Sequence, residues 1–155
     1  MTEFENDRIE KKIQLSAARA RVWRAISDAA EFGQWFRVRL EGAFHAGSTI
    51  AGRITYPGYE HLEVEMQIVE LIPERYFSYR WRPNAIDPTK DYSAEPMTLV
   101  EFTLDEAPES QGTLLTIVES GFARLPAERR TEAFRSNDGG WSAQLENIER
   151  YVTQS

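Results

Sequence analysis

The chain has 155 residues, a formal net charge of −7 and no cysteine. One domain is expected, and disulfides, thiolate metal sites and cysteine nucleophiles are excluded. With 25 acidic against 18 basic residues and no apolar run of spanning length, nucleic-acid binding, polybasic membrane binding and membrane insertion are disfavoured.

Residues 1–7 are polar and read as loose, and the acidic opening MTEFENDRIEKK is unlike a signal peptide. A soluble, cytoplasmic, single-domain protein over 1–155 is the expectation. Residues 8–15 alternate, with Ile9, Ile13 and Leu15 on one strand face. Ser16 is placed to cap a short helix over 17–27, with Val22, Trp23 and Ile26 on its apolar side. Asp28 followed by Glu31 has the spacing of a capping box for a second short helix ending near Trp35.

The period then switches to two. Residues 37–44 and 49–56 form a hairpin about His45–Ala46–Gly47–Ser48, and 62–72 and 76–82 a second about Pro73–Glu74–Arg75. Residues 83–96 carry three prolines and read as a long loop of the kind that often forms a lid. Residues 97–105 and 113–120 form the last hairpin around Glu109–Ser110–Gln111–Gly112, completing seven strands with a meander topology. Pro126 suits a helix start. Phe134, Trp141, Leu145, Ile148 and Val152 fall within about 60° of one helix face. One long helix with a weak point at Gly139–Gly140 is favoured, with a break at Asn137–Asp138 as the alternative. The two glycines read as a kink or a close backbone contact.

The order of elements is that of an α+β domain. The amphipathic helix needs an apolar partner, and a curved antiparallel sheet offers one concave face, so the sheet is expected to grip the helix. Several segments carry a resemblance: Ala20–Ile26 with Val22–Trp23, the Phe32 and Trp35 pair, Gly42-x-Phe44-x-x-Gly47 and Ile72–Pro73-x-Arg75. Further on come Tyr79-x-Trp81, Thr116 with Ser120–Gly121–Phe122, and Gly140–Trp141 followed by Leu145, Ile148 and Tyr151. In this order the chain resembles the START-like helix-grip (SRPBCC) superfamily, and within it the homologues of the activator of heat shock protein 90 ATPase. The resemblance implies a seven-stranded curved sheet, two short helices after the first strand and a C-terminal helix packed in the concave face. It also implies a cavity between sheet and helix. Fold alone does not supply an activity.

Aromatic residues make up 12% of the chain, and strand parity places many of them inward. Phe77, Tyr79 and Trp81 share a face, as do Val100, Phe102 and Leu104, and Leu115, Ile117 and Glu119. Tyr56, Ile54, Met66 and Ile68 are assigned to the same side, subject to a bulge that would shift register. Trp35 and Phe36 are placed at the mouth. The ligand-facing set is therefore Trp35, Phe36, Tyr56, Met66, Phe77, Tyr79, Trp81, Phe102, Ile117, Glu119, Asp138, Trp141 and Leu145. For any single ring the plainer reading is ordinary core.

Glu119 is the informative member, because an inward carboxylate is costly unless paired or hydrated. The plainer reading is a strand end that reaches solvent or pairs with Arg37, Arg39 or Arg80. Asp138 lies about 40° from the centre of the helix's apolar face and is a second candidate for the cavity. His61 with Glu63 and Glu65 has same-face spacing for a metal, but a solvated edge is the commoner meaning. Arg124, Glu128, Arg129, Arg130 and Glu132 read as a solvated helix start or a protein-facing patch. No phosphate loop, dinucleotide fingerprint or nucleophile elbow occurs, and no cofactor, metal or catalytic residue is assigned.

Three functions follow. The first is binding of a small hydrophobic or aromatic ligand. The second, from the resemblance alone, is a chaperone partner. It is weakened because this chain holds only one helix-grip domain and not the eukaryotic activator's extra N-terminal one. The third is a cyclase- or hydrolase-like enzyme using Glu119, Asp138 or a tyrosine hydroxyl. Ligand identity and oligomeric state are not encoded in any motif.

Overall fold

The computed structural model describes residues 7–83, 85, 87, 89–107 and 112–154. Strand β1 (Arg8–Leu15) is followed by helices α1 (Arg19–Ser27) and α2 (Ala29–Phe36). The strands β2 (Val38–Leu40), β3 (Thr49–Ile54), β4 (Glu63–Ile72), β5 (Tyr76–Trp81), β6 (Thr98–Glu106) and β7 (Thr113–Ser120) come next. A short 3-10 turn, Phe122–Arg124, leads into helix α3 (Ala127–Thr153). All seven strands form one sheet in the order β1-β7-β6-β5-β4-β3-β2, and every neighbouring pair is antiparallel. The fold is the α+β helix-grip arrangement expected from the order of elements.

Local chemistry sets the element ends. Asp28 caps α2, its carboxylate accepting from the amides of Ala30 and Glu31. The capping box is only half made, because the Glu31 side chain accepts instead from Arg21, Arg24 and Tyr151. Helix α1 begins later than Ser16 predicts, with Ala18 at its N-cap and no side-chain cap. At Gly33 a Cβ would sit 2.2 Å from the Val38 carbonyl oxygen, so the tight α2–β2 return requires glycine. Gly42, at φ 113°, turns the chain soon after Leu40 and leaves β2 only three residues long. A bulge of the kind that would shift register lies in β4, where the pairing to β5 shifts between Ile68 and Glu70. The predicted turn at 109–111 lies outside the described residues, as do residues 1–6.

Helix α3 runs for 27 residues without a break at Asn137–Asp138. Its Trp141, Leu145, Ile148 and Val152 are buried. Phe32 of α2 is the hub beneath it, with ring centroids 4.7 Å from Trp35, 5.6 Å from Phe44, 6.3 Å from Tyr79 and 6.4 Å from Phe102. Offset and edge-on contacts of this kind add to what burial alone contributes. The rings counted in the sequence are therefore first of all a core. No helix among the described residues is long and apolar enough to cross a membrane.

Candidate functional site

Sheet register assembles the site. Trp81 of β5 pairs with Thr98 of β6, and Val100 of β6 pairs with Glu119 of β7. Thr98 and Val100 are two apart and share a face, so Trp81, Thr98 and Glu119 form a diagonal on the concave side. Above them Asn137 and Trp141, four apart on α3, project from one helix face.

Glu119 is fully buried. Its Oε1 accepts from the Trp141 indole N–H at 2.8 Å and from Asn137 Nδ2 at 2.9 Å. Its Oε2 accepts from the Trp81 indole N–H at 2.8 Å, from the Thr98 hydroxyl at 2.6 Å and from Asn137 Nδ2 at 3.1 Å. The plainer reading, a strand end that reaches solvent or pairs with Arg37, Arg39 or Arg80, is corrected: the carboxylate is buried, four neutral donors satisfy it, and those arginines lie elsewhere. Alternation along each strand is the reason, since Arg80 stands between the inward Tyr79 and Trp81 and points to the other face. The Tyr79 hydroxyl lies buried with no hydrogen-bond partner. Its burial, and then the nearby Glu119 charge, hold it well above the ordinary tyrosine range.

Two adjoining hollows open beside this cluster, between α3 and the β3–β5 end of the sheet. One, of about 280 Å³, is bordered by Phe36, Ile54, Leu62, Val64, Glu65, Trp81, Arg82, Pro83, Ala85, Ser136 and Asn137. The other, of about 180 Å³, is bordered by Phe36, Trp81, Ser136, Asn137, Gly140, Trp141 and Gln144. Their shared residues make them one groove. Phe36, Trp81 and Trp141 form its aromatic wall, with centroid separations of 5.7, 6.1 and 5.9 Å.

Of the thirteen residues expected to face a ligand, Phe36, Trp81 and Trp141 border the groove, and Glu119 lies behind them. Met66, Phe77, Tyr79, Phe102, Ile117 and Leu145 are packed in the core. Trp35 is corrected from the mouth to the interior, where it is 3% exposed and its indole N–H donates to the Ala25 carbonyl at 2.8 Å. Tyr56 is corrected to the surface: β3 ends at Ile54, and Tyr56 is 52% exposed in the following bend. Asp138 is also outside, its half-exposed carboxylate 3.0 Å from Lys11 Nζ. The helix turns its neighbour Asn137 inward instead.

The sequence does not single out Ser136, and it marks Asn137 and Gly140 only as a break or weak point of the helix, not as groove residues. A short polar side chain one residue from an acid on the edge of an apolar helix face is a weak signal. The reading of Gly139 and Gly140 as a close contact is corrected, because a Cβ at either would meet nothing within 4 Å. The loop after β5 is anchored by Arg129, which is not part of a solvated helix start. It is 8% exposed, ion-paired with Glu95 at 2.7 Å, bonded to the Pro83 carbonyl and 4.8 Å from the Tyr92 ring. His61 is exposed, Glu63 pairs with Arg53, and Glu65 with Arg82.

The fold recurs in solved structures. The chain is similar to protein MLL2253 from Mesorhizobium loti (TM-score 0.74, 20% identity, 96% of this chain and 98% of that one). It is also similar to the Aha1 dimer from Colwellia psychrerythraea (0.70, 17%, 94% and 95%). DynU16, from the dynemicin biosynthetic locus, matches at 0.72 and 19% over 96% of this chain, which spans 48% of DynU16. No curated protein sequence matches the chain. The family model described as Activator of Hsp90 ATPase homolog 1-like protein matches residues 16–153. The chain belongs to this START-like family.

Proposed function

We propose that this protein binds a small, mainly apolar molecule, aromatic in part, in the groove between α3 and the β3–β5 end of the sheet. The observation that carries the reading is the wall of Phe36, Trp81 and Trp141, whose indole N–H groups are held from behind by one buried carboxylate. The core Trp35 satisfies its indole N–H with a backbone carbonyl and needs no shared buried acid. Here both polar tips are satisfied inside, so the two stacked rings present apolar carbon, and no unpaired N–H, to the groove. Concave sites with mostly apolar walls and a few fixed polar groups are where small ligands bind. Glu119 accepts from four donors and lies behind the indoles, which favours a supporting role over proton transfer to a substrate.

A ligand of about 20 heavy atoms at about 0.3 kcal/mol per atom gains about 6 kcal/mol, a Kd of tens of micromolar. A thermal-shift panel of hydrophobic and aromatic metabolites, with tryptophan emission followed in parallel, tests this. Binders should raise Tm and change the emission. A saturating panel with neither effect overturns the reading.

A further inference from the structure

The indole N–H groups of Trp81 and Trp141 can only donate, so both oxygens of Glu119 are acceptors in this cluster. That settles the orientation of a third group. Asn137 approaches both carboxylate oxygens at 2.9 and 3.1 Å, and only its NH2 end can do so favourably. Its amide is planar, so the carbonyl oxygen is turned away from Glu119. That oxygen has no hydrogen-bond partner among the described residues, and Asn137 borders both hollows. The other side-chain amide at the groove, Gln144, is already engaged, donating to the Phe36 carbonyl and accepting from Asn147. The rim groups Glu65 and Arg82 are paired with each other.

We infer that Asn137 is a specificity-determining residue whose carbonyl oxygen, oriented by the buried Glu119, selects ligands that carry an O–H or N–H donor on an apolar ring. This inference rests on the groove binding apolar molecules. It adds the polar half of the ligand's chemistry. A ligand that presents only an acceptor leaves the amide oxygen facing a lone pair, and burying an unpaired polar group is costlier than never making the bond.

The experiment uses a matched pair of probes, 2-naphthol and its methyl ether 2-methoxynaphthalene, titrated calorimetrically into the full chain. The wild type should bind 2-naphthol about tenfold more tightly. Asn137→Ala should bind the two alike. Glu119→Gln replaces one of the two acceptors facing Asn137 with an NH2 donor, so the amide is no longer held one way round and the naphthol preference should shrink. An unchanged preference in Glu119→Gln would overturn the role given to Glu119 in orienting the amide. Equal binding of the two probes by the wild type overturns the inference and leaves the groove reading standing. An undiminished naphthol preference in Asn137→Ala also overturns it. Failure of the wild type to bind either probe overturns the groove reading and this inference together. Should Glu119→Gln fail to fold, the Asn137→Ala comparison decides alone.

Discussion

The indoles of Trp81 and Trp141 stack with centroids 5.9 Å apart and planes 29° from parallel, and they donate to different oxygens of one carboxylate. One strand residue and one helix residue are thereby locked to a third element. Removing the carboxylate by Glu119→Ala strands four buried or half-buried donors. We expect a loss of about 3 kcal/mol, against about 1 kcal/mol for Glu119→Gln, which keeps one acceptor oxygen. Urea denaturation measures both, and equal losses would contradict the donor arrangement.

Asn137 and Asp138 are neighbours with opposite surroundings. Asn137→Ala removes a charge-assisted bond and should cost about 1.5 kcal/mol. Asp138→Ala removes only a half-exposed pair with Lys11 and should cost less than about 0.5 kcal/mol. Paired thermal melts distinguish them, and the reverse ranking would mean that Asp138 is the inward residue.

The segment after β5 depends on Arg129, whose flat guanidinium spans Glu95 and the Pro83 carbonyl beside Tyr92. Arg129→Lys keeps the charge but loses the fork. Hydrogen exchange in residues 89–97 should accelerate, with a stability loss of about 2 kcal/mol. Unchanged exchange there would show that the loop is held by other contacts.

Gly139 and Gly140 face open space within a helix. Gly139→Ala should raise stability by about 1 kcal/mol, or about 2–4 °C in Tm for a chain of this size. Gly140→Leu adds a side chain at the groove. It should weaken probe binding without destabilising the fold, as titration and thermal melts together would show.

Glu31 links α1, α2 and α3 through Arg21, Arg24 and Tyr151. Burial by itself would raise its carboxyl. The hydrogen bonds from Arg21 and Tyr151 and the charges of Arg21 and Arg24 outweigh this and hold it below the usual 4.5. Its contribution is therefore present above the unfolded value and is lost as pH falls through the lower folded value. Glu31→Gln should flatten the decline in stability below about pH 4.5, measured by urea melts at stepped pH. An identical decline in both proteins would remove Glu31 from the acid response.

Much of the molecule was legible in the chain itself. Period-two alternation found all the strands, the spacing from Phe134 to Val152 found one continuous helix, and parity put Glu119 on the inward face. These are properties of local geometry, in which each residue's direction follows from its neighbours. The partners of Glu119 were not legible, because they lie 18 to 38 residues away on two strands and a helix. Which helix residue meets it depends on how α3 crosses the sheet. A wheel cannot separate Asn137 from Asp138 when both border the apolar arc, and Lys11 on β1 claims the acid. Tyr56 escaped parity because it follows a strand end, and Trp35, a helix residue placed at the mouth, is packed inside with its indole N–H on the Ala25 carbonyl. The sequence by itself determined the elements, their order and the inward carboxylate. Only the packing of helix on sheet decided that most of the rings fill a core, that three of them wall a groove, and that a neutral cage replaces an ion pair around Glu119.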